Sequence, residues 1–218
     1  MAEGADFLYP FLGDDGADPT ALLADLALSA VAKADASAAL RASAFEANTA
    51  TLAVAARHMV DRFAAGGRLL TFGNGGSSTD AAGLAALFRQ PPWGRSRPAR
   101  CLVEDQAVLT ALGNDVGFEL VFARQIIAHG RQVDIALGAS TSGNSRNLLA
   151  AFEAATARGL LTVGLAGYDG GEMARSPHVQ HCLVVHADSI HRIQEVQAAL
   201  GFALWSAVDE HGAAVRSG

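Results

Sequence analysis

The stretch from Ala139 to Ala150, Ala-Ser-Thr-Ser-Gly-Asn-Ser-Arg-Asn-Leu-Leu-Ala, lies between an apolar run containing Val133, Ile135, Ala136 and Leu137 and an apolar helical pattern. It reads as a strand, a hydroxyl-rich turn and the start of a helix. Consecutive Ser140, Thr141 and Ser142, then Gly143 for a tight bend and Ser145 beyond it, place hydroxyls where a helix N-terminus already presents unpaired N–H groups. Such a turn is a place for a phosphate. With no Lys or Arg inside it, the anion would be held by hydroxyls, backbone amides and the helix dipole.

The same grammar recurs from residue 68 onward. Residues 68–72 form a short apolar strand, 73–79 a Gly-rich turn, and 80–87 the start of a helix. A weaker strand is expected at 101–103, followed by helices at 105–112 and 117–127 separated by Gly113-Asn114-Asp115. The strand at 133–137 leads through the hydroxyl turn to a helix ending near 158. A strand at 160–165, a Gly-rich turn at 167–171, a strand at 182–185 and a helix over about 189–209 complete the chain. Strands separated by helices imply a parallel sheet covered on both faces, with ligands at the carboxyl ends of the strands.

The region before residue 68 is helical and carries no chemistry. Residues 1–17 read as an irregular arm whose Phe7, Leu8, Tyr9 and Phe11 either pack on a neighbouring subunit or belong to a partly disordered terminus. Asp18-Pro19 supplies an N-cap and a first-turn proline for a short amphipathic helix with Leu22, Leu23, Leu26 and Val31. A second helix is expected over 36–65, with Leu40, Ala44, Leu52, Ala56, Met59 and Phe63 on one face, ended by Gly66-Gly67. Residues 18–218 thus form a single domain that includes an N-terminal helical layer.

Half of the 218 residues are hydrophobic and only 17% are charged. A chain of this size with so few charges is expected to bury more surface between copies, so a homo-oligomer is the natural expectation. The net charge of -6 argues against a direct nucleic-acid-binding face. Two cysteines, Cys101 and Cys182, make no disulfide framework and point to a reduced, cytoplasmic setting. The chain starts without a basic leader, and no apolar run approaches the ~18 residues of a membrane span.

Two readings of the Gly73 turn stay open. It lacks the third glycine and the downstream acidic residue of a dinucleotide fingerprint, and the Gly-Lys of a P-loop. Either Gly75 and Gly76 let the backbone approach a polyhydroxylated ligand that Asn74 and Ser77 contact, or the segment is a plain strand-to-helix turn.

Taken together, the motifs resemble a known family. Phe-Gly-Asn-Gly-Gly-Ser at 72–77 with Asp80, Gly-Asn-Asp at 113–115, Ser-Thr-Ser-Gly-Asn-Ser at 140–145, Gly-Tyr-Asp-Gly-Gly at 167–171 and Arg-Ile-Gln-Glu at 192–195 are similar to the sugar isomerase (SIS) domain. Within that family they resemble the phosphoheptose isomerases, over roughly residues 35–210. The resemblance implies an α/β three-layer sandwich around a five-stranded parallel sheet, flavodoxin-like and doubly wound. It also implies a homotetramer, and a sugar phosphate bound in clefts shared between subunits. Carried over by position, Asn74, Gly75, Gly76, Asn114, Asp115, Ser140, Thr141, Ser142 and Ser145 would line the site, with Ser77 and Gln194 beside them.

The departures from that family are as informative. Aldose-ketose isomerisation needs a base near one carbon and an acid near the carbonyl oxygen. The family places a zinc-binding His and, one turn later, a Glu after the Gly-rich turn; here those positions hold Gly83 and Leu87. Its last helix supplies a Gln and, two turns later, a His; here Gln194 remains and the His position is Phe202. No metal or other cofactor is therefore expected, and no catalytic residue can be assigned. Three functions remain: a sugar-phosphate-binding homologue without isomerase chemistry, an active isomerase with a relocated base such as His191 or Glu195, and a tetrameric scaffold for a protein partner like the replication-initiator-associating member of the family. The run His178, His181, Cys182, His186 is expected to be structural. The arginines Arg89, Arg95, Arg97 and Arg100 around Pro91-Pro92-Trp93 are expected in a solvated or intersubunit loop, with a docking surface as the alternative.

Overall fold

The computed structural model describes residues 19–217, so the irregular arm and the Asp18 cap lie outside the described residues. The chain divides into two units, Met1–Ala39 and Leu40–Gly218. The described part of the first is helix alone. It is the opening of α1 (Pro19–Ala64), a single helix of 46 residues where two were expected. The segment Ala32-Lys33-Ala34-Asp35-Ala36 contains neither Gly nor Pro, and Ala and Lys are among the best helix formers, so nothing breaks the helix there. In the first unit Leu22, Leu23, Leu26, Leu28 and Val31 are all exposed.

The second unit carries the sheet. After α1 come β1 (Leu69–Gly73), α2 (Gly76–Arg89), β2 (Ala99–Cys101) and α3 (Gln106–Asp115). A single 3-10 turn at Phe118–Leu120 leads into α4 (Val121–His129), then β3 (Ile135–Ser140), α5 (Arg146–Ala157), β4 (Leu161–Gly167), α6 (Gly171–Arg175), β5 (His181–Val185) and α7 (Ile190–Ser217). The five strands are parallel in the order β2-β1-β3-β4-β5, the flavodoxin-like order expected. Burial alternates along the strands between two cores. Leu69, Ile135, Leu137, Val163, Leu165 and Val185 pack with Met59 of α1, Leu84 and Phe88 of α2, and Ile193, Leu200 and Trp205 of α7. Leu70, Phe72 and Ala136 pack on the other face with Phe122 and Ile126 of α4 and Phe152 of α5. Each strand of the three in the middle is buried along its whole length, as a sheet covered on both faces requires.

Several boundaries differ from expectation, each for a local reason. Helix α2 starts at Gly76 instead of residue 80, because Gly75 at φ 54 makes the bend and the turn is spent within two residues of β1. Helix α3 runs through Gly113-Asn114-Asp115, which had looked like a break. Asp105 caps its start by accepting from the Val108 N–H at 3.0 Å, one helical Gly costs only about 1 kcal/mol, and the chain reverses instead at Gly117 with φ 96. Strand β3 includes Ser140, the Gly170 region holds the short helix α6, and α7 continues to Ser217.

The edge of the sheet opposite the hydroxyl turn is tied by Asp134, whose side chain is fully buried. Its carboxylate accepts from the backbone N–H of Arg68 (3.1 Å) and of Arg131 (3.1 Å) and pairs with both guanidinium groups. Burial pushes this carboxyl up, but the hydrogen bonds from Arg131 and Arg68 outweigh it and hold it below the usual carboxylate value. A depressed carboxylate stabilises the fold above its unfolded pKa of about 4 and loses that contribution as pH falls through the lower folded value. Asp134→Asn should therefore cost about 3 kcal/mol in urea unfolding at pH 7, and the gap between variant and wild type should shrink at pH 3. An equal gap at the two pH values would show that the charge of Asp134 contributes nothing.

Candidate functional site

The hydroxyl turn sits where β3 leaves the sheet. Ser140 is buried at the strand end, its Oγ accepts from the Gly143 N–H at 3.1 Å and lies 3.0 Å from Ser145 Oγ. Ser142 Oγ accepts from the Asn144 N–H at 3.2 Å, and Thr141 is half-buried. The turn is fixed from outside by the segment after β4. Met173 N–H donates to the Gly143 carbonyl (2.9 Å) and Glu172 N–H to Asn144 Oδ1 (2.8 Å). Gly143 has φ 65, and a side chain there would run into the Gly170 carbonyl, so only glycine permits this packing. Ser145 is the N-cap of α5 and no side chain caps that helix.

Helix α2 likewise begins without a side-chain cap, on the neighbouring strand β1. Two uncapped helix N-termini on adjacent strands put two positive dipole ends at one sheet edge, which favours an anion there. Asn74 and Asn147 join the two turns by a reciprocal amide pair, with both hydrogen bonds at 2.9 Å. Gln194 of α7 lies directly over Gly76, close enough that any side chain at 76 would displace its amide. One turn further, Gln197 donates from Nε2 to the Ser140 carbonyl at 3.2 Å.

The structure thus gathers Asn74, Gly75, Gly76, Ser140, Thr141, Ser142, Ser145 and Gln194 at one sheet edge. Asn74 has its amide engaged by Asn147. Ser77 is buried in the packing of α2. Asn114 and Asp115 are exposed at the end of α3 and bonded to each other at 2.8 Å, and among the described residues neither is hydrogen-bonded to the hydroxyl turn. Asn147 and Gln197 were not singled out from the sequence. Gln197 could have been, since it follows Gln194 by one helical turn on the same face.

Between α2 and α7, above Leu137, Ala139 and Leu165, lies a cavity of about 350 Å³ bordering the hydroxyl turn. Its walls are Gly83, Leu84, Leu87, Ala198, Gly201 and Phe202, with Thr79, Asp80 and Gln197 as polar groups. A side-chain carbon on Gly83 would meet nothing within 4 Å. Phe202 is held against Trp205 and Trp93, with ring centroids 5.1 and 5.9 Å away. The three positions from which the resemblance would draw zinc ligands are thus an open space, an aliphatic wall and an aromatic wall. Among the described residues no three His, Cys, Asp or Glu side chains converge, and Gln194 alone remains of the donor set. The residues present do not fit zinc.

The other candidates are engaged separately. His181 Nε2 lies 2.9 Å from His58 Nδ1, His186 Nδ1 lies 2.8 Å from the Tyr168 carbonyl, and burial pushes the Cys182 thiol up to about 12. Arg97, expected in a solvated loop, is instead buried, with its guanidinium over the Phe63 ring at 5.0 Å and its Nη2 donating to the Val208 carbonyl. Arg89 pairs with Glu104 at 2.8 Å. His191 is exposed at the start of α7.

Residues 34–167 match the SIS domain family. The chain belongs to that family. Within it, the chain is 44% identical to the phosphoheptose isomerase of Solidesulfovibrio magneticus over 180 residues, 80% of this chain and 85% of that one. The phosphoheptose isomerase of Roseiflexus sp. is 42% identical over 158 residues, 71% of this chain and 78% of that one. The phosphoheptose isomerase structure from Neisseria gonorrhoeae superposes with a TM-score of 0.79 at 34% identity, covering 85% of this chain and 99% of that one. As a SIS-domain protein similar to phosphoheptose isomerases, the chain keeps the sheet, the Gly-rich turn and the hydroxyl turn, while the wall beside them is apolar.

The turn geometry separates two glycines. Gly143→Ala should lose about 2 kcal/mol, from the positive φ and the clash with Gly170, whereas Gly83→Ala should gain up to about 1 kcal/mol of stability in urea titrations. A neutral Gly143→Ala would mean that the turn is not clamped as described.

Proposed function

We propose that this SIS-domain protein binds a sugar phosphate without isomerising it, and that occupancy sets the state of its assembly or of a partner. The observation that carries the reading is the apolar wall of Leu87 and Phe202 beside the Gly-rich and hydroxyl turns with their uncapped helix N-termini. The serine and threonine hydroxyls with the N-termini of α2 and α5 supply donors for a phosphate. Leu87 and Phe202 can neither take a proton from a sugar carbon nor return one to a carbonyl oxygen, which leaves Asp80 as the one titratable group on the cavity lining to serve both steps. The cytoplasm, where sugar phosphates are found and where Cys101 and Cys182 stay reduced, is the proposed setting. Neither a membrane nor a nucleic acid enters this reading.

The test is NMR of the purified protein with sedoheptulose 7-phosphate in deuterated water, with and without zinc. Line broadening of the sugar without deuterium incorporation is the expected result. Deuterium at the exchanging carbon would establish proton transfer, and its loss in His191→Ala would locate a relocated base.

The assembly we propose is a homotetramer. Leu23 and Leu28 are 66% and 70% exposed on the helical first unit, too apolar for a face left in water. Helices in proteins take most of their stability from packing of an apolar face, so a second copy of the chain covering this one would supply the missing burial. Sedimentation should give a tetramer for the wild type and a smaller species for a Leu23→Asp, Leu28→Asp double variant. A monomeric wild type would sink this part.

A further inference from the structure

The cavity between α2 and α7 has a chemistry of its own. Two polar atoms on its lining side chains, Asp80 Oδ2 and Gln197 Oε1, are buried without a hydrogen-bond partner. Gln197 is fully buried, and its Nε2 is committed to the Ser140 carbonyl, so the oxygen is what remains to face a ligand. Both atoms are acceptors. Apart from Thr79 at the rim, the remaining lining groups are aliphatic, aromatic or glycine.

This pattern is a poor match for a polyhydroxylated chain. Each hydroxyl placed against Leu84, Leu87 or Phe202 loses its water and gains no partner. It is a good match for a group that brings donors only. A carboxylate in a half-buried position is itself costly to leave unpaired, and burial pushes the Asp80 carboxyl up. An ammonium has N–H donors for both orphaned acceptors and a charge that offsets the Asp80 carboxylate. The cavity borders the hydroxyl turn through Ala139 and through the bond from Gln197 to Ser140, so one small molecule can span both.

We propose that the protein selects an amino-deoxy sugar phosphate: its phosphate at the hydroxyl turn, its amine on Asp80 and Gln197, and its least hydroxylated carbons against Leu84, Leu87 and Phe202. This rests on the sugar-phosphate reading given above and adds the class of sugar. The apolar wall rejects hydroxyls, and the two acceptors select the amine.

Isothermal titration of the full chain with inorganic phosphate, glucose 6-phosphate, 2-deoxyglucose 6-phosphate and glucosamine 6-phosphate tests it. The expected order places glucosamine 6-phosphate first, about tenfold tighter than glucose 6-phosphate, since a charge-assisted hydrogen bond is roughly twice as strong as a neutral one. In Asp80→Asn the ratio between those two ligands should fall to about one. Asp80 Oδ2 has no partner to lose, and a thermal melt checks that the variant is folded. If phosphate and glucose 6-phosphate bind but the amine brings no gain, the class of sugar is wrong and the phosphate site stands. If the gain is present and survives in folded Asp80→Asn, the amine is recognised elsewhere and the assignment to Asp80 is overturned. If none of the four ligands binds, both readings fall. Should Asp80→Asn fail to fold, the order of the three sugar phosphates on the wild type decides alone.

Discussion

Ser140 is the point at which sheet, turn and last helix meet. Its carbonyl receives the Gln197 amide, its hydroxyl receives the Gly143 N–H, and its backbone is the final residue of a fully buried central strand. A buried strand end has few ways to satisfy its polar groups once the ladder stops. Here they are satisfied by the turn folding back on the serine and by a glutamine reaching across from α7. The shape of the hydroxyl turn is therefore set by the sheet beneath it, and the position of α7 is set by the turn. The reciprocal amide pair of Asn74 and Asn147 then carries the same order to the Gly-rich turn on β1. One chain of hydrogen bonds holds both helix N-termini at a common edge, and the pre-organised amides are what make an anion welcome there.

Binding needs the turns, which are built from backbone and short polar side chains and depend on glycines at a few fixed bends. On α2 and α7 the cavity beside the turns is faced by Gly83, Leu87 and Phe202, none of which ionises. Phe202 joins Trp93 and Trp205 in an aromatic cluster, Leu87 extends the core that already contains Leu84 and Phe88, and Gly83 leaves room.

The turns and strands were legible in the sequence because their signals are local: an apolar run, a glycine where φ must be positive, hydroxyls at a helix start. The unbroken α1 was missed because the apolar patterns ending at Val31 and starting near Ala36 read as separate helices, although no Gly or Pro between them breaks the chain. The passage of α3 through Gly113 was missed for the converse reason, a glycine being read as a stop when the stop was Gly117. Long-range partners left no trace in the sequence. Nothing about His58 predicts His181, 123 positions away, and nothing about Arg97 predicts its burial over Phe63. At the site, the two turns were readable and Gln197 was within reach through its helical spacing from Gln194, but Asn147 was not, because its role comes from the Asn74 amide that the fold brings opposite it.

A wall that cannot move a proton hands back the molecule it received. An isomerase samples its substrate and its product and so reports on the traffic between them. On the function proposed above, a cavity faced with Leu87 and Phe202 equilibrates with a single species, and the fraction of protein filled tracks the standing level of that species alone. The protein we propose is then a gauge placed beside a metabolic step and not a participant in it.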